Sequence, residues 1–153
     1  MDVLELVGQS IPEPPSAGEP FVAFADWTPE EIAALHGLGR LESHAAGQTV
    51  IAAGSREDRD LFIVVSGELE VYRRSGGGEQ RIALLGPSDV FGEMSFVDGR
   101  PRSAEVRALA PTRALRVHPE DVDALAARDA SLALRFMREI ARILSFRLRQ
   151  ARA

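Results

Sequence analysis

From Leu41 to Val117 the chain consists of short β-like runs punctuated by glycine, and that rhythm restricts it to a small set of β-rich cores. The spacing predicts strands near 41–44, 49–53, 60–66, 68–74, 80–85, 89–91, 104–109 and 112–118. Glu68-Leu69-Glu70-Val71-Tyr72, Ala104-Glu105-Val106-Arg107-Ala108 and Arg113-Ala114-Leu115-Arg116-Val117 alternate with period two, so each is expected to bury one face. Leu61-Phe62-Ile63-Val64-Val65 is apolar throughout, the mark of a central strand, and Ser75-Gly76-Gly77-Gly78 suits a hairpin tip. Eight short strands with turns this frequent fit a closed barrel or a double-sheet jelly roll, and we expect the jelly roll (β-roll).

Helical periodicity flanks this region, which makes the fold class mainly β with helices, α+β. Thr28-Pro29-Glu30-Glu31 is a helix start, with Thr28 as cap, Pro29 at the first helical position and Glu31 completing a capping box. Trp27, just before the cap, suits a hydrophobic staple, and Gly37 and Gly39 end the helix. Pro119-Glu120-Asp121 opens a short helix through Val122 and Leu125. A long helix from about 130 to 151 then carries Leu132, Phe136, Met137, Ile140, Ile143, Leu144 and Leu148 on a wide apolar stripe. At 1.5 Å per residue it spans roughly 30 Å, more than the flank of a small β-roll needs, so a ligand, a second copy of the chain, or both are expected to cover part of it. Pro12, Pro14, Pro15 and Pro20 break residues 1–20, expected to be a mobile arm, from a single domain over 21–153.

Several function classes are excluded by what is scarce. The chain has no cysteine, so disulfides and thiolate metal sites are out. Its net charge of −5 is wrong for a protein whose main partner is DNA. No apolar run near Met1 is long enough for a signal peptide or a membrane span, which predicts a cytoplasmic protein with no membrane partner. His36, His44 and His118 are dispersed, unlike the clustered ligands of a metal-dependent enzyme on a similar roll. No nucleophile–base pairing is visible either, and we expect no catalysis and no cofactor.

The chemistry concentrates in Phe91-Gly92-Glu93-Met94-Ser95-Phe96-Val97-Asp98-Gly99-Arg100-Pro101-Arg102-Ser103-Ala104-Glu105-Val106. A compact anion wants backbone N–H donors approached without a bulky Cβ, plus one cation. Gly92 permits the approach, Met94-Ser95-Phe96 suits a single helical turn, Arg102 supplies the cation and Ser103 a hydroxyl. Glu93 would repel a phosphate, so it must face another part of the ligand, and sugar hydroxyls need such an acceptor. Phosphate plus sugar means a nucleotide. The plain alternative is a surface hairpin in which Glu93 and Arg102 merely pair.

Phe91-Gly92-Glu93-Met94-Ser95 followed by Pro101-Arg102-Ser103-Ala104 resembles the phosphate-binding cassette of the cyclic nucleotide-binding domain family, with Arg102 nine positions after Glu93. That family is shared by bacterial catabolite-activator-type regulators, regulatory subunits of protein kinases and cyclic-nucleotide-gated channels. Ala46-Gly47, Val50-Ile51, Gly54 and the run from Leu61 to Val71 extend the resemblance, which covers about 21 to 150. It implies a cAMP or cGMP sensor in which Glu93 accepts from the ribose 2′-hydroxyl and Arg102 pairs with the cyclic phosphate. Phe91, Gly92, Met94, Ser95 and Ala104 would line the cassette, and Ser103 would donate to phosphate or base. Val50, Val71, Ile82 and Ala83 would floor the purine, although each is also an ordinary core residue.

Two departures from the family pattern stand out. Where the catabolite-activator branch offers small hydroxyl residues to the adenine, the aligned positions are Arg147 and Leu148, which would instead lid the base, unless Arg147 is a solvated arginine on a helix that also carries Arg142, Arg149 and Arg152. No helix-turn-helix sequence follows the long helix. The expectation is a stand-alone sensor that signals by moving its C-terminal helix, toward a homodimer through that helix or a separate protein partner. The alternative is a degenerate scaffold that binds a partner protein and no nucleotide.

Overall fold

The computed structural model describes residues 21–151, so the expectation for residues 1–20 falls outside it. Helix α1 (Pro29–His36) comes first, followed by β1 (Arg40–His44), β2 (Thr49–Ile51), β3 (Leu61–Ser66), β4 (Leu69–Ser75), β5 (Gly78–Leu85) and β6 (Val90–Phe91). The short α2 (Glu93–Asp98) precedes β7 (Glu105–Ala108) and β8 (Thr112–Val117), and α3 (Pro119–Arg128) and α4 (Ala130–Ala151) close the chain. The strands form two four-stranded antiparallel sheets, ordered β1-β8-β3-β6 and β2-β7-β4-β5, in a jelly roll.

Strand β3 explains the arrangement. It lies inside its sheet between β8 and β6, and its two faces serve different cores. Leu61 and Ile63 join a cluster with Leu115 and Val117 from the neighbouring strand and Phe136, Ile140 and Ile143 from α4. Phe62 and Val64 join the interior of the roll with Ile51, Leu69, Leu85, Phe91, Val106 and Ala108. A strand buried on both faces has no polar position, hence the unbroken apolar run. The β4–β5 hairpin turns on Gly76 and Gly77, whose φ values of +59° and +84° meet the demand of a tight primed turn for two left-handed residues.

The caps at α1 form as the sequence indicates: Thr28 Oγ1 accepts from Glu31 N–H, and Glu31 Oε1 accepts from Thr28 N–H. The covering of α4 differs from the expectation. The segment before α1 supplies much of it, with Phe24 and Trp27 in the same buried cluster as Phe136 and Ile140. Phe21 stacks on Phe146 at 5.2 Å between ring centres. Phe24 N–H donates to the buried Glu139 carboxylate at 2.8 Å. What the stripe leaves in solvent is chiefly Leu148, 56% exposed; Leu134, off the stripe, is 41% exposed. No helix among the described residues is long and apolar enough to cross a membrane.

Candidate functional site

Strand β6 ends at Phe91, the chain turns at Gly92, and α2 carries it to Gly99 and on to Arg102. Gly92 has φ +77°, and a Cβ there would lie 2.7 Å from the Asp60 carbonyl oxygen and 3.0 Å from Arg102 Nη1. Only glycine fits both constraints, which is why the turn into α2 opens on it. Phe91 stacks almost parallel on Phe62 at 4.8 Å and belongs to the roll interior. The cassette therefore starts from a rigid base.

Arg102 is 6% exposed. Its Nη1 donates to the Gly92 carbonyl at 2.9 Å, and its Nη2 donates to Asp58 Oδ1 at 2.5 Å and to the Asp60 carbonyl at 2.7 Å. Its backbone is tied to the same β2–β3 loop: Arg102 N–H donates to the Ser55 carbonyl and Gly54 N–H to the Arg102 carbonyl. A guanidinium has five N–H donors, so these three side-chain bonds leave two for a ligand oxygen. Asp60 is itself buried, accepting at 2.6 Å from Arg116 Nε and pairing at 2.6 Å with His118 Nδ1. Arg116 reaches on to Glu42 of β1. The cation at the cassette is thus braced from both sheet and loop.

Glu93, 6% exposed, does not pair with Arg102. Its Oε1 accepts from Arg147 Nη1 of α4, and Arg147 Nη2 donates to the Val90 carbonyl. The hairpin in which Glu93 and Arg102 merely neutralise each other is therefore not what forms. Ser95 is buried beside Glu93, whereas Met94 is exposed, with Ser103 Oγ 3.7 Å from its sulfur. Ala104 is half-buried just before β7.

Val50, Val71, Ile82 and Ala83 all fall on the β2-β7-β4-β5 sheet or its strands. Val50 and Val71 pack on the roll interior. Ala83 stands opposite Val71 in register, and Ile82, at a bulge, is 44% exposed. Arg147 sits over the cassette through Glu93, while its neighbour Leu148 is exposed.

Burial pushes the Asp58 carboxyl up, but the Asp60 backbone N–H and the Arg102 guanidinium outweigh it and hold it below its ordinary value. A carboxyl depressed by folding contributes stability that is whole above its unfolded pKa of about 4 and is lost as pH falls through the lower folded value. We expect the melting temperature to drop as pH is lowered below about 4. The part of that drop due to Asp58 should be absent from Asp58→Asn; a parallel fall in both proteins would show that Asp58 contributes nothing.

Sequence reasoning missed Asp58, Asp60 and Arg116. The signal was present in Asp58-Arg59-Asp60, two acids set directly against an all-apolar strand, where a buried carboxylate needs a cation. The pairing of Glu93 with Arg147 joins residues 54 positions apart and has no local signature.

Residues 41–129 match the model of the cyclic nucleotide-binding domain. Over 129 residues the chain is 39% identical to glutaminase 2 of Bradyrhizobium diazoefficiens, covering 84% of this chain and 20% of that protein. It is 33% identical to the cyclic AMP receptor protein of Thermus thermophilus, covering 84% of this chain and 57% of the relative. A cyclic nucleotide-binding domain from Methylobacillus flagellatus superposes with a TM-score of 0.75 at 26% identity, over 83% of this chain and 71% of that one. The chain spans less than two thirds of the length of either curated relative.

Proposed function

The chain belongs to the cyclic nucleotide-binding domain family, and from that premise we propose that it binds cAMP or cGMP at Gly92–Ala104 and acts as a regulatory sensor. The observation that carries the proposal is the pair of buried, opposite charges, Glu93 at the start of α2 and Arg102 just beyond its end. Arg102 has donors to spare for the cyclic phosphate, and Glu93 is an acceptor placed for the ribose hydroxyl. The amides of Glu93, Met94 and Ser95 open α2 and lack partners of the helical kind, which suits an anion. Val71 and Ala83 would meet the purine. Signal output would be protein–protein, through the exposed positions of α4 to a second copy or to a separate effector.

The test is a thermal-shift comparison with cAMP, cGMP and 5′-AMP. A ligand at about 100 times its Kd adds roughly 2.7 kcal/mol, several degrees for a domain of this size. A shift with one or both cyclic nucleotides and none with 5′-AMP is expected. A second reading, a scaffold without nucleotide, is favoured by one observation: Glu93 already has a donor in Arg147. A cooperative melt unmoved by every nucleotide would establish the scaffold instead. Light scattering with and without nucleotide tests the homodimer; a monomer in both states leaves the separate effector.

A further inference from the structure

Two arginines meet one carboxylate beneath the cassette. Asp58 Oδ1 accepts from Arg102 Nη2 at 2.5 Å, and its Oδ2 lies 3.6 Å from Arg116 Nη2. Arg116 stands in register with Phe62 on the neighbouring strand, its guanidinium 5.3 Å from that ring. Phe62 in turn stacks on Phe91, where the cassette starts. From this position Arg116 Nε donates to Asp60 Oδ2 at 2.6 Å. The Asp60 carbonyl accepts from Arg102, its other carboxylate oxygen pairs with His118 Nδ1, and its side chain is 3% exposed. Glu42, the third acid in reach of Arg116, is itself paired with Arg40 at 2.7 Å. Beside His118, Arg116 is thus the cation that answers the second carboxylate next to Arg102.

We propose that Arg116 is a positioning residue for the ligand phosphate: by neutralising the Asp58 and Asp60 carboxylates it leaves the charge of Arg102 available to an incoming anion. The inference rests on the nucleotide-binding reading above. Without Arg116, one guanidinium would face two carboxylates, and the place that must receive a phosphodiester monoanion would carry net negative charge. Like charges disfavour a further anion, and in a partly dry interior that repulsion reaches further than in water. With Arg116 present the two cations balance the two acids. Asp58 then keeps a cation at its Oδ2 while Arg102 turns its remaining donors to the ligand. A brace would act through the hydrogen bonds of Arg116, whereas a counter-charge acts through its sign. Lysine at this position carries the charge but lacks the fork that reaches Asp60 and Glu42 separately, so the two roles can be told apart.

Isothermal titration of cAMP and cGMP into the wild type, Arg116→Met, Arg116→Lys, Asp60→Asn and Arg113→Met, with a thermal melt of each protein, makes the test. Arg116→Met should bind about tenfold more weakly and Arg116→Lys within about threefold of the wild type, while both melt at lower temperature. Asp60→Asn removes a carboxylate but keeps the backbone carbonyl that Arg102 holds, so it should bind at least as tightly as the wild type even though it melts lower. Arg113→Met, at an exposed position of the same strand, should bind as the wild type does. Binding by Arg116→Met within about twofold of the wild type overturns the positioning role and leaves the nucleotide site standing. Arg116→Lys losing as much as Arg116→Met, or Asp60→Asn weakening alongside them, also overturns it, by making Arg116 a brace alone. An equal loss in Arg113→Met does the same by assigning the effect to net charge. If Arg116→Met fails to melt cooperatively, Arg116→Lys and Asp60→Asn decide between the same outcomes. No binding by any of these proteins, the wild type included, overturns the positioning role and the nucleotide reading together.

Discussion

Arg102→Ala is expected to abolish the nucleotide-induced thermal shift and to weaken cAMP or cGMP binding by at least about 100-fold, the equivalent of 2.7 kcal/mol. Part of the loss is direct, the cation opposite the phosphate. The remainder is structural, because Arg102 is also the clasp between the cassette and the β2–β3 loop. Its removal leaves the Gly92 and Asp60 carbonyls and the Asp58 carboxylate without that donor. Asp58 keeps contact with water and with Arg116, so the cost to the ligand-free fold should be about 2–3 kcal/mol rather than that of a fully buried broken pair. Arg102→Lys separates the two roles. It restores charge but one ammonium cannot reach three acceptors on different sides, so we expect it to recover part of the stability and little of the binding. Binding by Arg102→Ala within threefold of the wild type, measured by titration calorimetry, would remove the phosphate assignment.

The fold was legible in the chain because its determinants are local. Period-two alternation marks the half-buried strands, and the unbroken Leu61–Val65 run marks the one strand with a core on each side. The glycine pair at 76 and 77 and the Thr28 capping box specify their turns within four residues. The cassette could be located for the same reason, since Gly92, Glu93 and Arg102 lie within one short segment. What could not be read is what holds those residues in the absence of ligand. Asp58 and Asp60 reach Arg102 across more than 40 positions of sequence, and Arg147 reaches Glu93 across 54. A single sequence carries no record of such pairs; they follow from the closure of the roll and the path of α4.

The segment before α1 covers much of α4, a long-range packing of the same kind, and it changes what the helix can do as a signal. A stripe needing a ligand or a second chain would belong to a helix free to swing. Instead Phe136 is fully buried against Phe24, with ring centres 6.4 Å apart, in the cluster that also holds Trp27, Leu61 and Leu115. Phe136→Ala should therefore cost about 3–5 kcal/mol, the range for deleting a buried ring and leaving a cavity. In a domain of this size that lowers the melting temperature by on the order of 10–20 °C. Leu148→Ala, on the same helix but mostly in solvent, should change stability by no more than about 0.5 kcal/mol. Calorimetric melts of the two variants test the contrast. Comparable small losses would mean that α4 packs loosely along its whole length and moves as a unit. The expected asymmetry would instead confine any motion of α4 to the turns after Ile143, the stretch that Arg147 ties to the cassette.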